Sequence, residues 1–268
     1  MPHASGKEKA QASWFPGHMA AGLRALESLA TLIDVVLEVR DARAPAASAA
    51  ALPARLRGKT RMVLLNRADL ADEALTRRWL TSLGTRHETF ATIGTQASSV
   101  RPVRDALARL PRRRPTLHVA VIGAPNTGKS SIINALARRK AAIAENRAGV
   151  TRHVRWLALG PGIQLLDTPG VLAPKIVSRD AAWKLAATGC LPESAYDPED
   201  VVEHLAAWLR AHGAARAAEQ ADVEVFARAR GMLRKGGEVD RAGAARKILT
   251  ELRAGTLGRF TFEVPDEA

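Results

Sequence analysis

The stretch Gly123-Ala124-Pro125-Asn126-Thr127-Gly128-Lys129-Ser130 fits the pattern G-x-x-x-x-G-K-[ST], and its setting narrows the fold more than any other feature. Ahead of it, Leu117-His118-Val119-Ala120-Val121-Ile122 reads as a buried strand; behind it, Ser131-Ile132-Ile133-Asn134-Ala135-Leu136 opens an amphipathic helix. The glycines allow the backbone to wrap so closely around a phosphate that successive N–H groups point inward. In that arrangement Lys129 reaches the β- and γ-phosphates, the Ser130 hydroxyl ligates Mg²⁺, and Thr127, Gly128 and Ser131 complete the phosphate contacts. An ordinary glycine-rich turn has no need of both lysine and serine in register between a strand and a helix.

The 268 residues suffice for one large domain or two ordinary ones, and a 47% apolar fraction supplies a core. No run of about 18 apolar residues occurs, so no membrane span is expected, and the polar start lacks the apolar segment of a signal peptide. Cys190 is the single cysteine, which excludes an internal disulfide, fits a reducing compartment and reads as a small buried apolar residue. Lys and Arg outnumber acids 40 to 27, a net charge of +13 that points to a polyanionic partner, nucleic acid first, against a merely solvated arginine-rich surface.

Along the chain, apolar residues from Met19 to Ile33 recur at helical spacing, followed by strands at 35–39 and 61–65, a helix over 72–83, a strand over 88–92 and a helix over 103–110. The basic connector Pro111-Arg112-Arg113-Arg114-Pro115 leads into the glycine loop's strand. An exposed loop at 146–152 and strands at 154–159 and 163–166 follow it. Strands alternating with helices imply a parallel α/β sheet covered on both faces. Past about Ser178 only helices are expected: one capped by Asp197-Pro198 and ending at Gly213, one through Val223, Phe226, Ala229 and Leu233, and one from Ala244 to Leu252. The division is therefore residues 1–177, an α/β domain, and 178–268, a small all-α domain.

Asn66-Arg67-Ala68-Asp69, at the end of a buried strand, resembles the Asn-Lys-x-Asp motif of GTPases. A carboxylate at Asp69 accepts from guanine N1–H and N2–H₂, whereas adenine leaves it unpaired, a difference worth several kcal/mol in such sites. Asn66 steadies the loop beside the base, with Arg67 next to it. Asp167-Thr168-Pro169-Gly170 adds the third element: Asp167 to hold Mg²⁺ through water, the Gly170 N–H to meet the γ-phosphate. Thr151, between these motifs, is placed to ligate Mg²⁺ when GTP is bound.

The base reader at 66–69 precedes the phosphate loop at 123–130, the reverse of the ordinary GTPase order. With Trp14-Phe15-Pro16-Gly17-His18-Met19, Asp41-Ala42-Arg43, Gly149-Val150-Thr151, Lys184-Leu185-Ala186-Ala187-Thr188-Gly189 and Gly258-Arg259-Phe260-Thr261, this circularly permuted arrangement closely resembles the ribosome biogenesis GTPase A family over nearly the whole chain. The resemblance implies a Ras-like, permuted P-loop GTPase domain followed by a helical RNA- or ribosome-binding domain. It further implies assistance in late assembly of the large ribosomal subunit, with rRNA binding switched by GTP and GDP. Expected alongside are a cytoplasmic location and a monomer away from the ribosome. Arg67 departs from the family's lysine, and Ala46-Ala47-Ser48-Ala49-Ala50 replaces a more polar stretch; a fifth guanine motif falls near Thr92 to Gln96 without a clear pattern.

Ras-like enzymes orient water with a glutamine after the D-x-x-G glycine; here that position is Val171, so hydrolysis is expected to be slow without a further group or partner. The family resemblance makes His18 the water-positioning residue, catalytic together with Lys129 and Thr151, against a role as the polar end of an aromatic anchor. It also implies K⁺ activation through Asn126, against plain turn chemistry there. The functional alternative is an RNA-binding assembly scaffold that holds guanine nucleotide with negligible hydrolysis. The basic residues Arg228, Arg230, Arg234, Lys235, Arg241, Arg246, Lys247 and Arg253 are the expected phosphate contacts of the helical part.

Overall fold

The computed structural model describes residues 17–112, 114–137, 155–168 and 178–266. Helix α1 (Gly17–Ser28) leads into strand β1 (Val35–Asp41), then β2 (Thr60–Asn66), α2 (Glu73–Gly84), β3 (Glu88–Thr92), α3 (Arg101–Arg109), β4 (Leu117–Gly123) and α4 (Lys129–Ala137). Strands β5 (Arg155–Gly160) and β6 (Ile163–Asp167) complete one six-stranded sheet ordered β3-β2-β1-β4-β6-β5. The central strands are continuous apolar runs because helices cover both faces. Val35, Leu37 and Val39 pack with Val103, Leu107, Ile132 and Ile133 on one side. On the other, Val36, Ala120 and Ile122 meet Leu26 and Ile33, and Val63 and Leu65 meet Trp79.

The sheet is not wholly parallel. β5 runs antiparallel to β6 at the edge, because only Pro161 and Gly162 separate the two, and a parallel return needs a crossover of a dozen residues or more. The other pairs are parallel, which gathers the carboxyl ends of five strands at one pole. There Asp41 pairs with Asn66, Asn66 with Thr92, Val39 with Gly123 and Val121 with Asp167. In open α/β sheets that pole is where ligands bind.

From Arg179 onward the described chain is helical: α5 (Arg179–Thr188), α6 (Pro198–Ala211), α7 (Ala215–Gln220), α8 (Val223–Ala229) and α9 (Arg241–Ala254). They enclose a core of their own around Leu205, Leu209, Phe226, Ile248 and Leu249. The Asp197 cap and Pro198 start α6 as expected, and α9 stops at Gly255, whose φ of 82° suits glycine. Leu233 lies beyond α8, in a short bridge to Val239. Helices α5 and α7 have no counterpart in the sequence reading. α5 buries Trp183 and every residue from Lys184 to Thr188, so it lacks an amphipathic period to read. The loop expected at 146–152 lies outside the described residues.

Candidate functional site

The phosphate loop is built by close approach. A Cβ on Gly123 would stand 2.2 Å from the Val39 carbonyl oxygen, so β4 can lie this near β1 at its end only with glycine there. Gly128, at φ +91°, leaves room for the Asn66 amide, which an added Cβ would meet at 2.2 Å. The Thr127 hydroxyl donates to the Ala124 carbonyl at 3.0 Å and closes the loop on itself. Helix α4 begins at Lys129, which aims its first N–H groups and the positive end of its dipole at the loop. Lys129 is buried and donates through Nζ to the Ala124 carbonyl at 2.8 Å. Burial lowers its ammonium to about 8, against the opposing charge of Asp167.

Asn66 ties the base-reading segment to this loop. Its Nδ2 donates to the Thr127 carbonyl at 2.7 Å, and its Oδ1 accepts from the Gly94 N–H at 2.8 Å and the Thr92 hydroxyl at 3.3 Å. Those bonds bring the segment Thr92-Ile93-Gly94-Thr95, inside the range the sequence left without a pattern, beside the phosphate loop. A pocket of about 530 Å³ opens here, lined by Asn66, Asp69, Gly94, Asn126, Gly128 and Ser131 among others. That size falls in the usual range for small-ligand sites. Asp69 is exposed on its wall, in the turn Ala68–Leu70, where its carboxylate can face a base edge.

Arg67, at φ 61°, takes three acceptors. Nη2 donates to the Asn126 carbonyl at 2.7 Å, while Nη1 faces the Thr188 carbonyl at 3.3 Å and Asp41 Oδ2 at 3.5 Å. A lysine ammonium could not span these positions with one planar group, so the substitution here buttresses the phosphate loop. Asn126, at φ 56°, donates through Nδ2 to the Gly189 carbonyl at 2.8 Å.

The metal ligands expected from the sequence include Asp167, buried at the end of β6, and Ser130 in the first turn of α4. The Thr168 hydroxyl donates to the Val121 carbonyl at 2.7 Å and pins the residue after Asp167 to β4. A carboxylate and a hydroxyl are hard oxygen donors that suit Mg²⁺, which binds through one or two protein oxygens plus phosphates rather than a protein cage. Among the described residues no cluster of three or more His, Cys, Asp or Glu forms such a cage. The His18 side chain, Thr151 and Gly170 lie outside the described residues.

Sequence reasoning missed the far wall of the pocket. Thr188 and Gly189 from the end of α5, and Thr250, Arg253 and Ala254 from α9, complete its lining. Arg43 is fully buried against Asp41, with Nε–Oδ1 at 2.8 Å and Nη2–Oδ2 at 2.7 Å, and its Nη2 also reaches the Thr188 carbonyl at 3.0 Å. Burial alone would raise the Asp41 carboxyl; the Arg43 charge and hydrogen bonds outweigh it, with Arg67 adding to them, and hold it below the usual range. The segment Leu257–Glu263 then crosses the base-reading turn. Phe260 N–H donates to the Leu70 carbonyl, Phe262 N–H to the Arg43 carbonyl, and the Glu263 carboxylate accepts from Ala46 and Ala47 N–H. The alanine-rich stretch therefore works through its backbone, with the Ser48 hydroxyl accepting from Asp41 N–H at 2.9 Å.

These features have counterparts in known proteins. Residues 118–225 match a family described as 50S ribosome-binding GTPase. Ribosome biogenesis GTPase A of Bacillus cereus is 34% identical over 95% of this chain and 94% of its own, and that of Thermotoga maritima 35% identical over 95% of both. The structure of GNP-bound YlqF from T. maritima superposes with a TM-score of 0.73 at 32% identity, covering 91% of this chain and 98% of that one. A GDP-bound YlqF structure gives 0.72 at 33% identity over 91% and 100%. With the base reader ahead of the phosphate loop in one continuous sheet, the chain is a circularly permuted P-loop GTPase and belongs to the ribosome biogenesis GTPase A family.

Proposed function

We propose that this chain binds GTP and GDP in the pocket between Asn66 and Gly128, hydrolyses GTP with Mg²⁺ held by Ser130, Asp167 and Thr151, and assists assembly of the large ribosomal subunit by contacting its rRNA. The observation that carries this reading is the Asn66 amide, bonded at once to the Thr127 carbonyl and the Gly94 N–H, which assembles the phosphate loop, base reader and fifth segment around one pocket. Asp69 selects guanine, and Lys129 leaves the Ala124 carbonyl for the β- and γ-phosphates, where its positive form is favoured. Mg²⁺, when bound, offsets charge that develops on the transferred phosphoryl group. Val171 in the water-orienting position makes hydrolysis slow alone and dependent on the ribosome, with His18 positioning water.

K⁺ activation would use the Oδ1 of Asn126, since its Nδ2 is committed to Gly189. Residues 1–177 and 178–268 act as two units, an assignment supported by the separate helical core. The protein works as a cytoplasmic monomer away from the ribosome; no described helix is long and apolar enough to cross a membrane. The test is GTP turnover with and without purified large subunits, after GDP and ADP binding are compared. GDP preferred strongly over ADP, and turnover raised by large subunits, are expected. Equal affinity for the two nucleotides would overturn the guanine reading. Unstimulated, negligible turnover would favour a nucleotide-holding scaffold.

A further inference from the structure

The basic helical face expected to meet RNA is largely spoken for. Arg228 pairs with Glu224, Arg230 with Glu251, Arg234 with Asp240, and Arg241 with Glu199 and Glu224. Arg253 is bound to main-chain carbonyls of α5, and Arg246 lies 4.0 Å from Glu193. Residues 178–268 hold 13 Lys and Arg against 15 Asp and Glu, a net of −2. Residues 1–177 hold 27 against 12, a net of +15, so the positive excess of the chain lies wholly in the sheet-containing part.

Within that part, basic side chains converge where the parallel strands begin. A cleft of about 280 Å³ is lined by Lys59 from the turn before β2 and by Arg112 and Arg114 from the connector into β4, with Asp34 as its acidic member. Arg57 is exposed two residues before Lys59. Asp34 accepts from the His118 N–H at 2.9 Å and offsets one positive charge, which leaves the excess of Arg57, Lys59, Arg112 and Arg114 in place. The Arg114 guanidinium donates to the Thr31 carbonyl at 3.2 Å, which fixes its direction on the rim. Among the described residues its lining holds no aromatic side chain on which a base could stack, and the volume suits phosphate groups rather than a splayed nucleotide. Strands of seven residues place this pole about 20 Å from the nucleotide pocket, so occupation of one leaves the other open.

We propose that this cleft, with Arg57, Lys59, Arg112 and Arg114, is an RNA phosphate-backbone site that anchors the protein independently of sequence. It rests on the ribosomal reading above. The experiment titrates full-length protein with a fluorescein-labelled RNA hairpin and with large ribosomal subunits over a range of salt. It uses Arg57→Gln/Lys59→Gln, Arg112→Gln/Arg114→Gln, and a helical control, Lys235→Gln/Lys247→Gln. Each cleft pair should lower the log–log salt slope by between about 1.4 and 1.8, while the control changes it little. GDP affinity should stay at the wild-type value in all three, which reports an intact fold, and Arg112→Lys/Arg114→Lys should retain RNA binding. Wild-type protein that binds neither probe would overturn the ribosomal reading together with this site. Wild-type binding matched by both cleft variants would overturn the site alone. Displacement by polyglutamate as effective as by unlabelled RNA would mark a surface for an acidic protein instead and overturn the RNA assignment.

Discussion

Arg43→Met is the sharpest probe of how the sheet and helical parts are joined. The exchange keeps the apolar stem but removes both charged contacts to Asp41, which is 0% exposed. Asp41 would keep the Arg43 N–H at 3.0 Å and the more distant Arg67 Nη1 at 3.5 Å, and the Thr188 carbonyl would lose one of its donors. Breaking one partner of a buried pair costs about 3–5 kcal/mol. At about 2 °C per kcal/mol for a chain of this size, Tm should fall roughly 6–10 °C. In the wild type the Asp41 carboxyl is held below its ordinary 3.8, so the pair's contribution is present above that value and is lost as pH falls through the lower folded pKa. In the variant, burial without the partner raises the carboxyl, so the penalty is full at pH 7 and shrinks as pH falls through the raised value. Asp41→Asn/Arg43→Met removes the stranded charge and should recover much of the loss. Calorimetric unfolding of the three proteins between pH 5 and 7 decides. A drop below about 1 kcal/mol for Arg43→Met, with no recovery in the double variant, would refute the reasoning.

Asp69→Asn should weaken GDP binding by about 100-fold and shift preference towards xanthine nucleotides, whose 2-oxo group accepts from the new amide; fluorescent-nucleotide titration reads both. Gly128→Ala places a methyl on the Asn66 amide at a φ that disfavours side chains, so GDP affinity should fall at least ~10-fold by calorimetric titration while far-UV circular dichroism is retained. His18→Ala should reduce subunit-stimulated turnover by ~10²–10⁴-fold with little effect on GTP affinity, the size of a lost water-orienting base. Equal stimulated rates would return His18 to an anchoring role.

What the sequence disclosed and what it hid divide by distance along the chain. The strand–loop–helix around Gly123–Ser130 is local, so strand ends, glycine positions and the register of Lys129 could all be read. Asn66 and Asp69 stood out as candidates through the chemistry of a guanine edge, and the structure sets both on the pocket, Asn66 meeting Thr127 across 61 residues. The segment at 92–95 was not legible, because Gly94 meets Asn66 through its N–H, which every residue but proline carries. The same holds for Ala46 and Ala47, whose N–H groups meet Glu263 more than 200 residues on. Arg67 looked like a weakened lysine; three acceptors from separate segments show why a planar fork suits that position. For the helical basic residues the sequence showed charge but not partners: Arg228, Arg230, Arg234 and Arg241 each face an acid from the same helix or a neighbouring element.

The end of α5 is tied to both parts through its main-chain carbonyls. A helix leaves its last carbonyls without intrahelical donors and gathers negative potential there. Here the Ala186 and Ala187 carbonyls accept from Arg253, that of Thr188 from Arg43 and Arg67, and that of Gly189 from Asn126. Two of these donors belong to the loops that would hold the nucleotide, and Arg67 also grips the Asn126 carbonyl. A phosphate that shifts Asn126 must therefore carry Gly189 with it or break a 2.8 Å bond, and α5 is buried too deeply to follow alone. Gly189 is equally constrained from behind, since a Cβ there would lie 3.2 Å from Arg253 Nε. These bonds link the helical layer to the phosphate loop through main-chain carbonyls, without using the segment after Asp167. The same layer also lines the pocket at Thr250 and Ala254, so the helical part contributes to its wall beside Asn126 and Gly189.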